Sequence, residues 1–290
     1  MFVTRETTIP PLCYELDSVP IHQPLPRICM QKPPKSHERC ALAIAHPGHE
    51  VRIYGWMEAN RPLVSVLTDG SGQRGSPRIA SSKRLIEGTG ARCGSIFGLT
   101  TDRRLYAEVL LGNSALFLRL ADQLAEEWAT NEIDFVVGDA REGAIMAHDL
   151  WRGVIDRAVE LASERSGRRI VNVGFSLESD PRAASENQPG VHIRHQLDQD
   201  EWQRKIRAAE DYRGLETEVQ RAFAAWGREA FQYEVLLENG PVDEDDVAGI
   251  PHYERHGEEL VRAGVYSEVV RYREHVMPIL QTLRSGLKVA

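Results

Sequence analysis

The sequence predicts an α/β protein, a three-layer sandwich with a mainly parallel sheet and a helical C-terminal extension. From Cys40 onward, short apolar runs alternate with longer amphipathic stretches, which is typical of strands joined by crossover helices. Past residue 198 the chain becomes charged and strongly helical in character. At 290 residues the chain is long enough to bury one large core.

The apolar runs predict strands at 40–45, 63–67, 93–97, 133–137 and 170–175. Helices are predicted between them at about 49–59, 79–89, 115–130 and 148–165. The third of these helices carries one apolar stripe, formed by Leu116, Leu120, Leu124 and Trp128 at a spacing of four residues. A last helix is predicted over 266–284.

Three regions follow from these patterns. Residues 1–38 contain seven prolines and no sustained apolar period, so we expect an extended N-terminal arm. Residues 39–200 form the α/β core, which we expect to be Rossmann-like, and residues 201–290 form a helical extension packed on the core. An arm of this kind is also compatible with wrapping around a second copy in a homo-oligomer.

Composition and charge narrow the classes of partner. The net charge of −8 and the pI near 5.7 argue against a nucleic-acid partner, because the phosphates of nucleic acids bind basic protein surfaces. No segment approaches the roughly 18 apolar residues of a transmembrane helix, and the N-terminus lacks the pattern of a secretory signal. We therefore expect a cytoplasmic protein with a small-molecule substrate. The four cysteines form no C-x-x-C pair, so a thiolate zinc site is not indicated.

The segment Ala43-Ile44-Ala45-His46-Pro47-Gly48-His49-Glu50 carries the strongest chemical signal. An apolar strand stops at a histidine, and a second histidine opens the next helix. Ligands of open parallel sheets bind beyond the carboxyl ends of the strands, and polar residues gather there: Thr68-Asp69-Gly70, Gly138-Asp139 and His148. This pattern favours a metal site at His46 and His49, with the third histidine, His148, at the same edge of the sheet. The alternative is that His46 and His49 only cap the turn.

This arrangement resembles the PIG-L/LmbE family of zinc-dependent N-deacetylases, over roughly residues 40–175. The family motif A-H-P-D-D-E stands here as A-H-P-G-H-E. The resemblance implies that His46 and His148 are metal ligands and that His49 takes the place of an aspartate ligand. It also implies Zn²⁺ as the cofactor, and an N-acetylated sugar or glycoconjugate as the substrate.

The departure at Gly48 matters, because the family's general base is the aspartate at this position. A nearby carboxylate must replace it, and we rank Asp69 first, followed by Asp139, Glu142 and Asp149. Asp69 could equally be a turn residue. Glu50 is expected to accept the second N–H of a ligand histidine, and Asp149 to orient His148 or cap its helix.

Two further segments are candidates for substrate contacts. The glycine-rich stretch 69–78 contains Arg74 and Arg78, which could grip a carboxylate, phosphate or sugar hydroxyl, although a plain surface loop is the alternative. The C-terminal tail could bring Tyr253 or His275 to the cleft.

His252 and His256 share a helical face and are interpreted as surface residues. His192 and His195 alternate along a strand, which makes joint ligation unfavourable.

The sequence thus predicts a metal-dependent amide hydrolase, an N-deacetylase that uses metal-activated water. Two alternatives remain open. Three histidines can also hold Fe²⁺ for oxygen chemistry, and the loss of the family's base fits an enzyme that no longer hydrolyses. The chain could also be a metal-bearing binding protein without catalytic activity.

Overall fold

The computed structural model describes residues 39–72, 75–182, 191–238 and 249–286. The predicted N-terminal arm at 1–38 lies outside these residues. Among the described residues, no helix combines the length and the apolar character that a membrane span requires.

The core is one sheet of seven strands in the order β3-β2-β1-β4-β5-β7-β6. The pairs among β1 to β5 are parallel, whereas β7 runs antiparallel to both β5 and β6. The prediction of a mainly parallel, Rossmann-like sheet is confirmed. The strands are β1 (Cys40–Ile44), β2 (Leu63–Thr68), β3 (Arg92–Thr100), β4 (Phe135–Asp139), β5 (Val171–Phe175), β6 (Val191–Gln196) and β7 (Tyr233–Glu238).

Helices cover both faces of the sheet and bury a separate apolar cluster on each. One layer contains α3, α4, α5 and α9, and the other contains α1 and α2. The α-helices are α1 (Tyr54–Asn60), α2 (Ile79–Gly88), α3 (Asp102–Leu110), α4 (Ser114–Thr130), α5 (Met146–Ser166), α6 (Gln199–Glu210), α7 (Glu216–Trp226), α8 (His252–Arg262) and α9 (Met277–Ser285). Short 3₁₀ helices span His49–Ile53 and Arg228–Gln232, and a π-helical turn spans Tyr272–Val276.

The apolar stripe of α4 faces the sheet as predicted, since Leu120, Leu124 and Trp128 are buried. The long helix α5 packs beside α4 and receives α9 on another side. A methyl group placed on Gly153 would lie 2.5 Å from Cδ2 of Leu280, so this glycine permits the close approach of α5 and α9. The C-terminal helix is therefore part of the same core as the sheet.

Three elements differ from the sequence prediction. Strand β7 lies in the region predicted to be helical and sits inside the sheet, so the boundary predicted at residue 200 divides the sheet. The last helix begins at Met277 and not near residue 266. Helix α3 was not predicted, because its charged sequence D-R-R-L-Y-A-E-V-L buries only Leu105 and Val109.

The strand order places β1 at the centre of the parallel part of the sheet, between β2 and β4. The chain moves from β1 toward one edge through β2 and β3, and then crosses to the other side of β1 through β4. The crevice between β1 and β4 is consequently the topological switch point, where open α/β sheets bind their ligands. His46 follows β1, and His148 lies in the helix after β4.

Candidate metal centre

His46, His49 and His148 converge at this switch point. One ring nitrogen from each lies within 4.8 Å of the others, and the three rings are edge-on to one another with centroids 4.6 to 5.2 Å apart. Nε2 of His148 lies 3.2 Å from Nδ1 of His46. The three histidines form a group that can hold a metal ion, as the sequence predicted.

The local backbone explains why two histidines from one short segment meet. After β1 the chain turns at Pro47 and at Gly48, which has a left-handed φ of 111°, and His49 then begins the 3₁₀ helix. The backbone N–H of Thr68 at the end of β2 donates to the carbonyl of Ala45, which fixes the residue before His46. His148 arrives from the first turn of α5, where it is almost fully buried.

The carboxylate of Asp139 contacts Nδ1 of His49, on the side of the ring away from the other two histidines. Both of its carboxylate oxygens lie 3.0 Å from Nδ1 of His49, and Oδ2 also accepts the N–H of Ala45 at 2.7 Å. Burial alone would raise the pKa of Asp139, but the charge and hydrogen bond of His49 outweigh it and the net shift is downward. Asp139 therefore stays ionised, and it orients His49 so that Nε2 faces the centre. This contact makes Asp139 a positioning residue for His49, and its role as a proton carrier stays a prediction.

Asp102 occupies the corresponding place behind His46 and was missed in the sequence. Its Oδ1 lies 3.1 Å from Nε2 of His46, and its Oδ2 accepts the N–H of Gly72 at 2.6 Å. Burial opposes ionisation of Asp102, but the contacts with His46 and Gly72 hold its pKa below the ordinary range. Asp102 follows β3 directly at the N-terminus of α3. The signal that could have revealed it is Thr101-Asp102, polar residues at a fourth carboxyl strand end.

The protonation of the imidazoles suits a metal. Burial lowers the pKa of His46, and it lowers that of His148 well below the ordinary value. Both rings are thus neutral near pH 7, with lone pairs available as ligands. Because Asp139 and Asp102 occupy Nδ1 of His49 and Nε2 of His46, the opposite nitrogens of these rings face the centre. Nδ1 of His148 is buried and has no hydrogen-bond partner within the described residues.

The donor set fits a divalent metal such as zinc. Three imidazoles with carboxylates behind two of them are the ligands that zinc prefers, and they leave a coordination position open. Metal ions of similar preference, including Fe²⁺, also accept imidazole. The geometry therefore assigns the three ligands but does not distinguish zinc from Fe²⁺.

The predicted role of Glu50 needs correction. Its carboxylate accepts the N–H of Gly48 at 2.7 Å and the hydroxyl of Ser82 at 2.6 Å, and burial raises its pKa. Glu50 is the second residue of the 3₁₀ helix, and its bond to the N–H of Gly48 stabilises the first turn. It holds the loop in place, and Asp139 makes the histidine contact that Glu50 was expected to make.

Asp149 and Glu142 also bind loops and do not contact the histidines. Oδ1 of Asp149 accepts the N–H groups of Glu142 and Gly143, and burial raises the pKa of Asp149 to about 6. Glu142 accepts the hydroxyl of Ser176 and the N–H of Leu177, and burial raises its pKa. These bonds tie the loop between β4 and α5 to the loop after β5. Asp149 makes these bonds in place of the predicted contact with His148, and the proton-carrying roles of both residues stay predictions.

Asp69 lies in the turn after β2, as the alternative interpretation proposed. Its Oδ1 accepts the N–H of Ser71 at 3.0 Å, and its side chain stays partly exposed.

Arg78 contacts the start of α7 and the turn before it. It donates to the carbonyl of Gly214 at 3.3 Å and lies 3.6 Å from Glu218. Its Nε is buried without a partner within the described part of the chain. Arg74 lies outside the described residues.

The C-terminal tail reaches the edge of the site. The N–H of His252 donates to the carbonyl of Gly143 at 2.9 Å, which places α8 against the loop that precedes His148. Burial and the charge of Asp149 raise the pKa of Tyr253. His275 accepts the N–H of Arg271 through Nδ1 and is engaged within the tail. His252 and His256 stack on the exposed face of α8, as expected for surface residues.

We expect the Asp102→Asn variant to bind zinc about 10- to 100-fold more weakly than the wild-type chain, because an amide holds the imidazole of His46 less firmly than a carboxylate does. Competition titration with a zinc chelator measures this change. Asp134→Asn is a suitable control, because Asp134 lies just before β4 and forms its ion pair with Arg168, not with a histidine of the group. Equal zinc affinity in the Asp102→Asn and wild-type chains would rule out the positioning role.

Comparisons with known proteins leave the family open. No family model matches the chain, and no curated protein matches it. One solved structure that resembles it is that of the conserved protein TT1542 from Thermus thermophilus, with 14% identity and a TM-score of 0.46, over 73% of this chain and 99% of that one. A likeness this remote carries no functional argument. The resemblance to the PIG-L/LmbE deacetylases stays a prediction.

Proposed function

We propose that the protein is a metal-dependent hydrolase of linear amide C–N bonds, an N-deacetylase that acts on an amino sugar or a similar small N-acyl compound. The observation that carries the proposal is the convergence of nitrogens from His46, His49 and His148 within 4.8 Å at the switch point of the sheet. Zinc is the metal we propose, because three imidazoles with an open position are typical of hydrolytic zinc sites.

The reaction adds water to the acyl carbon and breaks the C–N bond, which releases a carboxylate and a free amine. A bound zinc ion supplies the Lewis acidity for this chemistry. The chain itself must keep the ligands neutral and oriented, and must move one proton from water to the leaving nitrogen. Burial keeps the imidazoles of His46 and His148 neutral, and the contacts of Asp139 and Asp102 orient the rings of His49 and His46.

Asp69 is our candidate for the proton carrier. Asp139 and Asp149 are buried, and Glu142 binds the loop after β5, so Asp69 is the carboxylate of the predicted set that combines solvent access with a place beside the metal loop. Its neighbour Gly70 packs on Pro47, since a methyl group on Gly70 would lie 2.9 Å from Cδ of Pro47. A carboxylate in this position can take a proton from water at the site.

The position of the family's base is closed in this chain. Gly48 has a backbone conformation that side chains rarely adopt, and a methyl group on it would lie 3.0 Å from Cδ1 of Leu215. Leu215, in the connection between α6 and α7, therefore fills the space that an aspartate would use. A proton carrier must come from another side of the centre, which supports the choice of a residue after β2.

The test combines metal analysis with an amine-release assay. The chain is purified without chelator, its metals are measured, and it is then assayed with zinc or with iron on a panel of N-acetyl amino sugars. We expect zinc to copurify and to support amine release, and we expect Asp69→Asn to lower kcat about 10²- to 10⁴-fold with little change in zinc content.

Three outcomes would contradict the proposal. Amine release unaffected by metal removal would exclude a metal-dependent hydrolase. Oxygen uptake with iron and no amine release would indicate oxygen chemistry, and bound metal with no turnover of any N-acyl compound would indicate a binding protein. Asp211→Asn, in the exposed segment after α6, is the matched control for Asp69→Asn.

A further inference from the structure

The three histidines of the candidate metal centre are nearly closed off from solvent. The side chains of His46 and His49 are each 14% exposed, and His148 is 2% exposed. A substrate or a chelator must reach the open coordination position before it can bind the metal. Because so little of the ligand surface is open, we expect a covering segment to move when such a molecule enters, as active-site lids do.

One segment that covers the ligands is the connection between α6 and α7, together with the first turns of α7. A methyl group on Gly48 would lie 3.0 Å from Cδ1 and 3.1 Å from Cδ2 of Leu215, so this leucine lies directly on the turn before His49. Leu215 and Val219 also pack on a small apolar cluster that includes Val51, a residue of the 3₁₀ helix that His49 begins. The segment therefore lies on the backbone that carries two of the three ligands.

This segment, residues 213–222, has few buried contacts compared with the residues at its two ends. The structure describes all of its residues and none of them is buried, whereas Tyr212 just before it is 3% exposed. Phe223 just after it packs edge-on against Phe231, with ring centroids 5.3 Å apart. Gly214 near its start has a φ of 88°, a conformation that glycine adopts freely. The segment thus has two anchored ends, a hinge residue and an interior that can open locally.

Arg78 fastens the segment to the turn beneath it. Its Nη1 donates to the carbonyl of Gly214 at 3.3 Å and lies 3.6 Å from Oε1 of Glu218. A methyl group on Gly70 would lie 3.0 Å from Nε of Arg78 and 2.9 Å from Cδ of Pro47, so the guanidinium group lies beside the turn that joins β1 to the 3₁₀ helix. Because Glu218 is 47% exposed, its ion pair with Arg78 is weak and can separate readily.

We propose that residues 213–222 form a lid over the candidate metal centre. The lid opens when Leu215 leaves Gly48 and Arg78 loses its two contacts with the segment. The anchored ends stay in place, and the glycine near the start of the lid takes up the change in backbone direction. The open state admits a ligand to the free coordination position, and the closed state keeps bulk water away from it. This inference rests on the metal site of the proposed function and not on the reaction assigned to it.

The first test measures how fast saturating EDTA removes zinc from the zinc-loaded chain. We expect Leu215→Ala to speed zinc loss about 10-fold, because the smaller side chain buries less apolar surface in the closed state. Glu218→Gln should speed it about 2- to 5-fold, which corresponds to the loss of one exposed ion pair. Leu111→Ala and Glu126→Gln are the matched controls, since Leu111 is 80% exposed before α4 and Glu126 pairs with Arg165 on α4.

The equilibrium affinity separates a lid from a damaged metal site. A lid that supplies no ligand changes the rates of zinc binding and zinc loss together, so the Kd for zinc should stay the same in Leu215→Ala and Glu218→Gln. Zinc loss at the wild-type rate in both variants would overturn the lid. Faster loss with a proportionally weaker Kd would also overturn it, because the segment would then only support the ligands.

Hydrogen exchange of the metal-free chain gives a readout that needs neither metal nor turnover. We expect the helical amides of residues 220–222 to exchange faster than those of α6, and Glu218→Gln to accelerate them about 2- to 5-fold while leaving α6 unchanged. Protection of these amides equal to that of α6 would overturn the lid. Absence of amide hydrolysis leaves both readouts intact, so the proposed reaction can fail while the lid stands.

Discussion

The His148→Ala variant is expected to purify without metal under conditions in which the wild-type chain retains zinc. His148 supplies one of the three converging nitrogens and is the ligand contributed by α5. With two imidazoles left, the affinity should fall by more than the roughly 10- to 100-fold that accompanies loss of an outer contact. Elemental analysis of the two purified chains measures the difference.

Thermal unfolding provides an independent readout of the same change. Zinc at about 100 times its Kd should stabilise the wild-type chain by roughly 2.7 kcal/mol and leave His148→Ala unaffected. His256→Ala is the control, because His256 is exposed on α8 and stacks on His252. If His148→Ala kept both its zinc and the zinc-dependent stabilisation, the assignment of His148 as a ligand would be wrong.

The parallel strands and the histidine convergence were predictable because both depend on short-range patterns. The apolar run that forms β1 ends at His46, and in a parallel sheet every carboxyl strand end meets the same edge. His148 required one further step, the predicted resemblance to a known family. The structure then brings the three rings together as that pattern implied.

The supporting carboxylates were harder to assign, because a sequence does not show the direction of a side chain. Asp139 and Glu50 both belong to segments that carry or adjoin the histidines, yet Asp139 contacts His49 while Glu50 turns toward Ser82. Asp102 was overlooked because it follows β3, an edge strand with mostly half-exposed residues, and opens a charged helix. Strand β7 was overlooked for a related reason, since its six residues lie between charged, helix-rich segments.

Replacing Lys205 by methionine is expected to lower the free energy of unfolding by roughly 3–5 kcal/mol. Nζ of Lys205 lies 2.9 Å from Oε1 of Glu234, and the side chains are only 2% and 1% exposed. Burial lowers the pKa of Lys205, although Glu234 opposes that shift. Without the ammonium group, the carboxylate of Glu234 would remain buried without the cation that it hydrogen-bonds, and chemical denaturation would measure the cost.

The pair matters because it connects β7, α6 and the segment that runs from His49 into α1. Glu234 on β7 accepts the N–H groups of Gly55 and Trp56 at the start of α1, and Lys205 on α6 donates to the carbonyl of Arg52 at 2.7 Å. A carboxylate at a helix N-terminus is favourable. The segment it fixes is the one that begins with His49, so the ion pair anchors the helix that carries a ligand.

A double variant separates the charge from the hydrogen bonds. In Lys205→Met/Glu234→Gln, the amide oxygen can still accept from α1 while no charge is left unpaired, so we expect most of the lost stability to return. The exposed pair Lys83 and Glu87 on α2 is the control, and Lys83→Met should cost less than about 1 kcal/mol. If Lys205→Met cost no more than Lys83→Met, the buried pair would not be the anchor of this part of the fold, and the position of His49 would have to depend on its contact with Asp139.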